Sequence, residues 1–219
     1  MSRAANNPDV ACVILVHGLW MLGFELGVLK RRLEADLSLR AVPFSYASVH
    51  GAMQDHARSL SAFARAQRCQ RLHFVGHSLG GLVILRALQL AEELPPGRAV
   101  LLGTPLQGSR AAQGVARIFP FGKTILGGAV TEECIDCAPR QWSGPREVGV
   151  IAGSMGVGLG RMFADLEAEH DGTVMVEETR LPGAKDHIVL DASHTGLLFS
   201  AEVAEQTAYF LKAGAFRRG

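Results

Sequence analysis

Ser78 lies in the run Gly76-His77-Ser78-Leu79-Gly80, directly after the apolar stretch Leu72-His73-Phe74-Val75. A serine between glycines, at a turn from strand to helix, lifts its hydroxyl clear of a sheet, where it can be deprotonated and attack an electrophile. With 25 glycines in 219 residues, the pentapeptide alone is a weak signal. Its setting gives it weight: a strand before, a helix after, and Gly81 leaving room for close packing. The plain alternative is a serine that only caps a helix.

A serine hydroxyl is a poor nucleophile without a base, and histidine is the usual one. Of eight histidines, His194 in Ala192-Ser193-His194-Thr195-Gly196 best meets the role, because it follows the last apolar run and precedes the last helix. His187 falls within or just before that last strand, and His170 precedes it. His50, His56 and His73 read as loop, helix surface and strand, while His17 and His77 belong to other motifs. The base in turn needs an acid that holds its tautomer and stabilises the imidazolium. Asp171, in Glu169-His170-Asp171-Gly172-Thr173-Val174, is the best placed, since Gly172 permits a sharp turn. Its rivals are Asp165, Glu167, Glu169, Asp186 and Asp191.

A tetrahedral oxyanion needs two preorganised N–H donors, each worth on the order of 3 kcal/mol of barrier. Leu79, the residue after Ser78, supplies one at a helix N-terminus. Leu19 in His17-Gly18-Leu19-Trp20 supplies the other, with Gly18 letting the backbone turn toward the serine. Trp20, Tyr46 and Thr104 are pocket candidates. Met21, Phe119 and Phe121 could also wall a pocket, although Met21 suits a core equally well.

The elements that must position these residues alternate. Apolar runs at Val10–Val16, Ala41–Tyr46, Arg71–Val75, Arg98–Gly103, Glu147–Ala152 and His187–Leu190 read as six strands. Leu22, Leu26, Leu29, Leu33 and Leu37 recur at helical spacing. Ala52–Ala66, Leu79–Leu94 and Gly196–Ala213 are further helices, the second stopped by Pro95-Pro96-Gly97. Apolar strands separated by helices imply a doubly wound α/β fold, with a mostly parallel sheet covered on both faces. In such sheets the site lies at the carboxyl ends of the strands, where His17, Ser78, Thr104 and His194 all fall. The length favours one domain spanning residues 1–219. Pro105–Pro145 breaks the alternation as a small helical excursion over the site, with a helix expected near Ser109–Phe119.

Composition excludes several classes. The net charge is +1 from 22 basic and 21 acidic residues, so no nucleic acid partner is indicated. Clusters such as Lys30-Arg31-Arg32 and Arg217-Arg218 read as solvated. No apolar run is long enough to span a membrane. The polar N-terminal residues lack the apolar centre of a signal peptide, which implies a cytoplasmic location. Cys12 reads as a reduced core residue. Cys134-Ile135-Asp136-Cys137 is a single CxxC with no second ligand pair, so a loop thiol pair is favoured over zinc or redox chemistry. Gly122-Lys123-Thr124 lacks the glycine and preceding strand of a phosphate loop. Gly153, Gly156, Gly158 and Gly160 lack dinucleotide spacing and read as a rim near Asp171. No cofactor or metal is called for.

Together, Val13-Ile14-Leu15-Val16-His17-Gly18, Gly76-His77-Ser78-Leu79-Gly80-Gly81, Asp171-Gly172 and Ser193-His194 resemble the α/β-hydrolase fold superfamily. The chain order Ser, Asp, His is that family's order. Leu101-Leu102-Gly103-Thr104-Pro105, continuing to Gly108-Ser109, resembles small bacterial serine esterases and lipases in particular. The resemblance implies a hydrolase of short- to medium-chain carboxylic esters, acting on a small acyl ester through an acyl-enzyme on Ser78. The same machinery would serve a thioesterase, a lipase or an acyltransferase. A binding protein on the same fold would show a broken triad. The first strand follows the N-terminus almost at once, so the antiparallel first strands of larger members are expected to be absent. Its excursion is small for a lipase lid, which favours an open or thinly covered site.

Overall fold

The structure is a computed structural model that describes residues 11–37, 39–90, 93–156 and 168–218. Val10, Asp165, Glu167, Gly158 and Gly160 lie outside these residues.

Six runs rich in apolar residues form one sheet: β1 (Cys12–Val16), β2 (Arg40–Phe44), β3 (Leu72–His77), β4 (Ala99–Leu102), β5 (Val148–Gly153) and β6 (Asp186–Leu190). Their order is β2-β1-β3-β4-β5-β6, and every neighbouring pair is parallel. The four inner strands are buried along their whole length, as a sheet covered on both faces requires. Pro43 has no N–H to give, and it sits in edge strand β2.

Alternation along β1 divides the core. Val13 and Leu15 face α1 (Gly27–Leu37) and α7 (Ala201–Ala213), meeting Leu29, Leu33 and Phe210. Ile14 and Val16 face α2 (Met53–Arg65) and α3 (Leu79–Leu90), with Leu60 and Ile84. From β1 the chain crosses to β2 on one side, then returns to β3 on the other. The connections leaving β1 and β3 therefore diverge and leave a crevice at the carboxyl ends of these two strands. His17-Gly18-Leu19 and Ser78 stand at that crevice.

The excursion contains α4 (Arg110–Ile118), α5 (Gly122–Leu126) and a short α6 (Gly128–Val130) running into a π-helical turn, Thr131–Ile135. Ser109 caps α4 by accepting the Ala112 N–H at 3.2 Å.

Three expectations need correction. The last helix is not continuous: a 3₁₀ turn at Gly196–Leu198 precedes α7, because Ser200 accepts the Val203 N–H and starts a fresh helix. Leu22 does not join the apolar face of α1; it is 74% exposed, since the helical path begins only at Phe24 with a 3₁₀ turn. His56 is buried on α2 rather than lying on its surface, its ring 4.8 Å from that of Tyr46. No helix among the described residues is long and apolar enough to cross a membrane.

Candidate active site

Ser78 has φ 54°, a left-handed backbone that costs a non-glycine residue on the order of 1–3 kcal/mol. Two backbone bonds hold it there: Ser78 N–H to Leu102 O at 2.8 Å, and Gly81 N–H to Ser78 O at 3.0 Å. The turn therefore hangs from the neighbouring strand at one end and from the first turn of α3 at the other. The β1 loop approaches it closely. A Cβ added at Gly18 would lie 3.0 Å from Ser78 Cβ and 3.1 Å from His77 Nδ1. The next N–H in that loop is Leu19's, and Trp20 N–H is already given to Ser48 Oγ at 3.1 Å.

Asp171 and His194 meet across 23 residues of sequence, with Nδ1 2.7 Å from Oδ2. An ionised carboxylate only accepts, so the imidazole carries its proton on Nδ1 and leaves Nε2 free to act as a base. The other carboxylate oxygen, Oδ1, accepts N–H groups from Thr173 at 2.9 Å and Val174 at 2.7 Å. Asp171 is fully buried, and these three hydrogen bonds compensate its lost hydration. The two loops are also joined through the backbone, His194 N–H to Asp171 O at 2.8 Å. Gly103, at the end of β4, makes room for the pair. A Cβ there would come within 3.0 Å of Asp171 Oδ2 and 3.2 Å of His194 Nδ1.

Two other histidines frame the site as neutral groups. His77 Nε2–H donates to His194 O at 2.8 Å, and the two rings lie 4.7 Å apart. Burial, and then the nearby His194 ring, push the His77 pKa down to about 3. His17 takes the Tyr46 N–H at Nε2, gives its Nδ1–H to Gly18 O, and stacks on Tyr46 at 4.5 Å. Burial lowers its pKa as well.

Ser78 and His194 open on a cavity of about 270 Å³. Leu19, Trp20 and Leu79 line one side, and Val115, Leu126 and Cys134 from the excursion line the other. Thr173 and Val174 of the Asp171 loop complete it. Tyr46 and Thr104 are not among its lining residues. Tyr46 lies behind His17, its hydroxyl on His17 O at 3.0 Å. Thr104 is fully buried against Gly81 of α3. Phe121 is 74% exposed and does not line the cavity.

Glu178 is not singled out by the sequence, and the places of Gly103 beneath the Asp171–His194 pair and of Cys134 on the cavity wall are not legible in the segments that hold them. Gly103 has a signal as the glycine ending a strand at the active edge, and Cys134 has one only as part of the CxxC. Burial raises the Cys134 pKa to about 12, which keeps the thiol protonated. No metal-binding cluster exists among the described residues.

Residues 13–178 match the model of the alpha/beta hydrolase family. The chain belongs to that family. Solved alpha/beta hydrolases are similar to it in fold. The mature lipase BlEst2 of Bacillus licheniformis superposes with a TM-score of 0.69 at 20% identity, over 94% of this chain and 92% of that one. The RedJ thioesterase of Streptomyces coelicolor gives 0.59 at 13%, over 96% and 89%. The pyrethroid hydrolase PytH gives 0.60 at 17%, over 94% and 99%. No curated protein sequence matches the chain.

Proposed function

We propose that this alpha/beta hydrolase is a serine esterase that cleaves short- to medium-chain carboxylic esters. The observation that carries the reading is the 2.7 Å Asp171–His194 hydrogen bond, which opens on the same cavity as Ser78 in its left-handed turn. His194 Nε2 takes the Ser78 hydroxyl proton as Oγ attacks the acyl carbon. Asp171 keeps the Nδ1 proton in place and stabilises the imidazolium. Leu19 and Leu79 N–H groups hold the oxyanion. His194 then passes its proton to the leaving alcohol, freeing it and leaving an acyl group on Ser78 Oγ. Water, activated by His194, releases the acid and restores the serine. The apolar cavity beside Ser78 takes the acyl chain. A lipase, a thioesterase and a pyrethroid hydrolase share the fold, which agrees with acyl-transfer chemistry at such a site. A thioester substrate or an alcohol acceptor would use the same steps, with only the leaving group or acceptor changed.

The test is labelling with a fluorophosphonate probe and turnover of p-nitrophenyl esters from acetyl to palmitoyl. The wild type labels and turns over the shorter esters, while Ser78→Ala loses labelling and at least about 10⁴-fold in kcat. A wild type that neither labels nor hydrolyses any ester removes the esterase reading. A Ser78→Ala variant that keeps its activity removes Ser78 as the nucleophile.

A further inference from the structure

Glu178 has no place in the chemistry above, yet it is a buried carboxylate, 6% exposed, in the 3₁₀ turn Glu177–Thr179. Each of its oxygens is taken by a backbone donor from a different segment. Oε1 accepts the Arg110 N–H at 2.6 Å, and Oε2 accepts the Met175 N–H at 2.9 Å. Its own carbonyl accepts the Gln107 N–H at 2.9 Å, so the turn grips the excursion a second time. Burial raises the Glu178 pKa, and the two backbone donors oppose that rise.

The two segments it joins both contribute to the lining of the cavity. Arg110 is the first residue of α4, and its neighbours Ser109, Ala111 and Ala112 line the cavity. Met175 follows Thr173 and Val174, which also line it and bind Asp171 Oδ1 through their N–H groups. One carboxylate thus spans the seam between the acyl wall and the acid loop, behind the lining and out of reach of a bound chain. An amide at this position offers one acceptor instead of two and turns an NH₂ toward the second donor. A buried N–H left unmatched costs enough to move its segment.

We propose that Glu178 is a positioning residue that sets acyl-chain selectivity by fixing the gap between α4 and the Asp171 loop. This rests on reading the cavity as the acyl pocket of a serine esterase. Loss of either backbone bond lets α4 move outward and admits longer chains relative to short ones. Reactivity at Ser78 is preserved, because the acid loop keeps its own bonds, Asp171 to His194 Nδ1 and to the Thr173 and Val174 N–H groups, so that α4 is the side that gives.

The experiment compares kcat and KM for p-nitrophenyl acetate and octanoate in the wild type, Glu178→Gln and Arg110→Pro. Proline is tolerated at the first position of a helix, where it removes the N–H that Glu178 receives together with the exposed Arg110 side chain. Both variants should raise the octanoate-to-acetate ratio of kcat/KM by about five-fold or more, mainly through KM. Fluorophosphonate labelling per folded molecule should stay within about two-fold of the wild type, because the chemistry is untouched. If Glu178→Gln fails to fold, Arg110→Pro reads the same seam. A ratio unchanged in a folded variant overturns the proposal, as does an equal loss on both esters together with slower labelling, which marks a purely structural role. In either case a wild type active on esters leaves the esterase reading standing. A wild type inert to both esters and to the probe overturns that reading and this proposal with it.

Discussion

The Ser78 turn and the roof of the cavity are built on opposite plans. The turn is local: Gly76 to Gly81 are contiguous, and their partners are the ends of the adjoining strands, Val16-His17-Gly18 and Leu102-Gly103. Its shape is enforced by close backbone approach and by one strained φ. The roof is assembled at a distance. Arg140 donates to Leu106 O and pairs with Glu133, Gln107 reaches Arg140 O and Arg180 O, and Glu178 reaches Arg110. Side chains bonding to remote backbone groups do there what strand pairing does at the turn. The contrast separates two requirements of one site: reactivity needs atoms fixed to fractions of an ångström, whereas a pocket wall needs only its depth set.

The largest effect that sharpens this contrast is expected at a long-range side-chain bond that reactivity does use, Asp171 to His194. Asp171→Asn keeps the size of the side chain but presents the wrong group to His194 Nδ1. Its kcat should fall about 10⁴-fold, with KM for p-nitrophenyl butyrate little changed. A loss below ten-fold would show that the acid is held elsewhere.

Next comes the rigidity of the turn. A Cβ at Gly80 would meet Val16 O at 2.3 Å and His17 O at 2.5 Å, and neither carbonyl can retreat without breaking strand β1. Gly80→Ala should cost about 3 kcal/mol or prevent folding, read from the urea midpoint. An alanine tolerated at no cost would mean that the turn is softer than its contacts require.

The two regions should also answer pH with opposite signs. The folded pKa of His77 is about 3, against an unfolded value of about 6.5. Below pH 6.5 the unfolded chain takes a proton that the folded chain refuses. Stability is therefore present above 6.5 and lost as pH falls toward 3. Glu178 has its pKa raised by burial. The folded form gives up its proton less readily than the unfolded form, so its contribution falls as pH rises through the unfolded value of about 4.3. Relative to His77→Gln, the wild type should lose up to about 2 kcal/mol between pH 6.5 and 5. Relative to Glu178→Gln, it should gain as pH falls toward the unfolded carboxylate value of about 4.3. Parallel pH trends in the two comparisons would contradict this opposition.

The smallest expected effect is on pocket depth. Val115→Phe fills part of the cavity from α4. It should lower kcat/KM for octanoate about ten-fold and leave acetate nearly unchanged. Equal losses on both esters would place the acyl chain elsewhere.

The same division explains what could be read from the chain before folding. The strands, the turn at Ser78 and the pairing of Asp171 with His194 were legible, because each is announced by neighbouring residues: apolar runs, flanking glycines, and a polar residue after a strand. Tyr46 and Thr104 sit at the correct sheet edge, but which way they face depends on His17 and Gly81, and no local pattern records that. Glu178, in Val176-Glu177-Glu178-Thr179, is indistinguishable from a solvated acid until Arg110 and Met175 come to it. The break before α7 lay hidden in the apolar spacing of Leu197 and Leu198, which carries straight across Ser200.

Trp20 has one more consequence. The chain has two tryptophans. Trp142 is buried, its indole N–H on Arg146 O at 2.8 Å, while Trp20 is 59% exposed at the cavity mouth, its indole N–H reaching Ile125 O at 3.3 Å. The molecule therefore carries its own optical gauge. Iodide quenches the emission of the exposed indole and spares the enclosed one, so the quenchable fraction reports on the doorway alone. An occupant in the cavity registers as a blue shift and as protection from iodide, with no label attached and no bond cleaved.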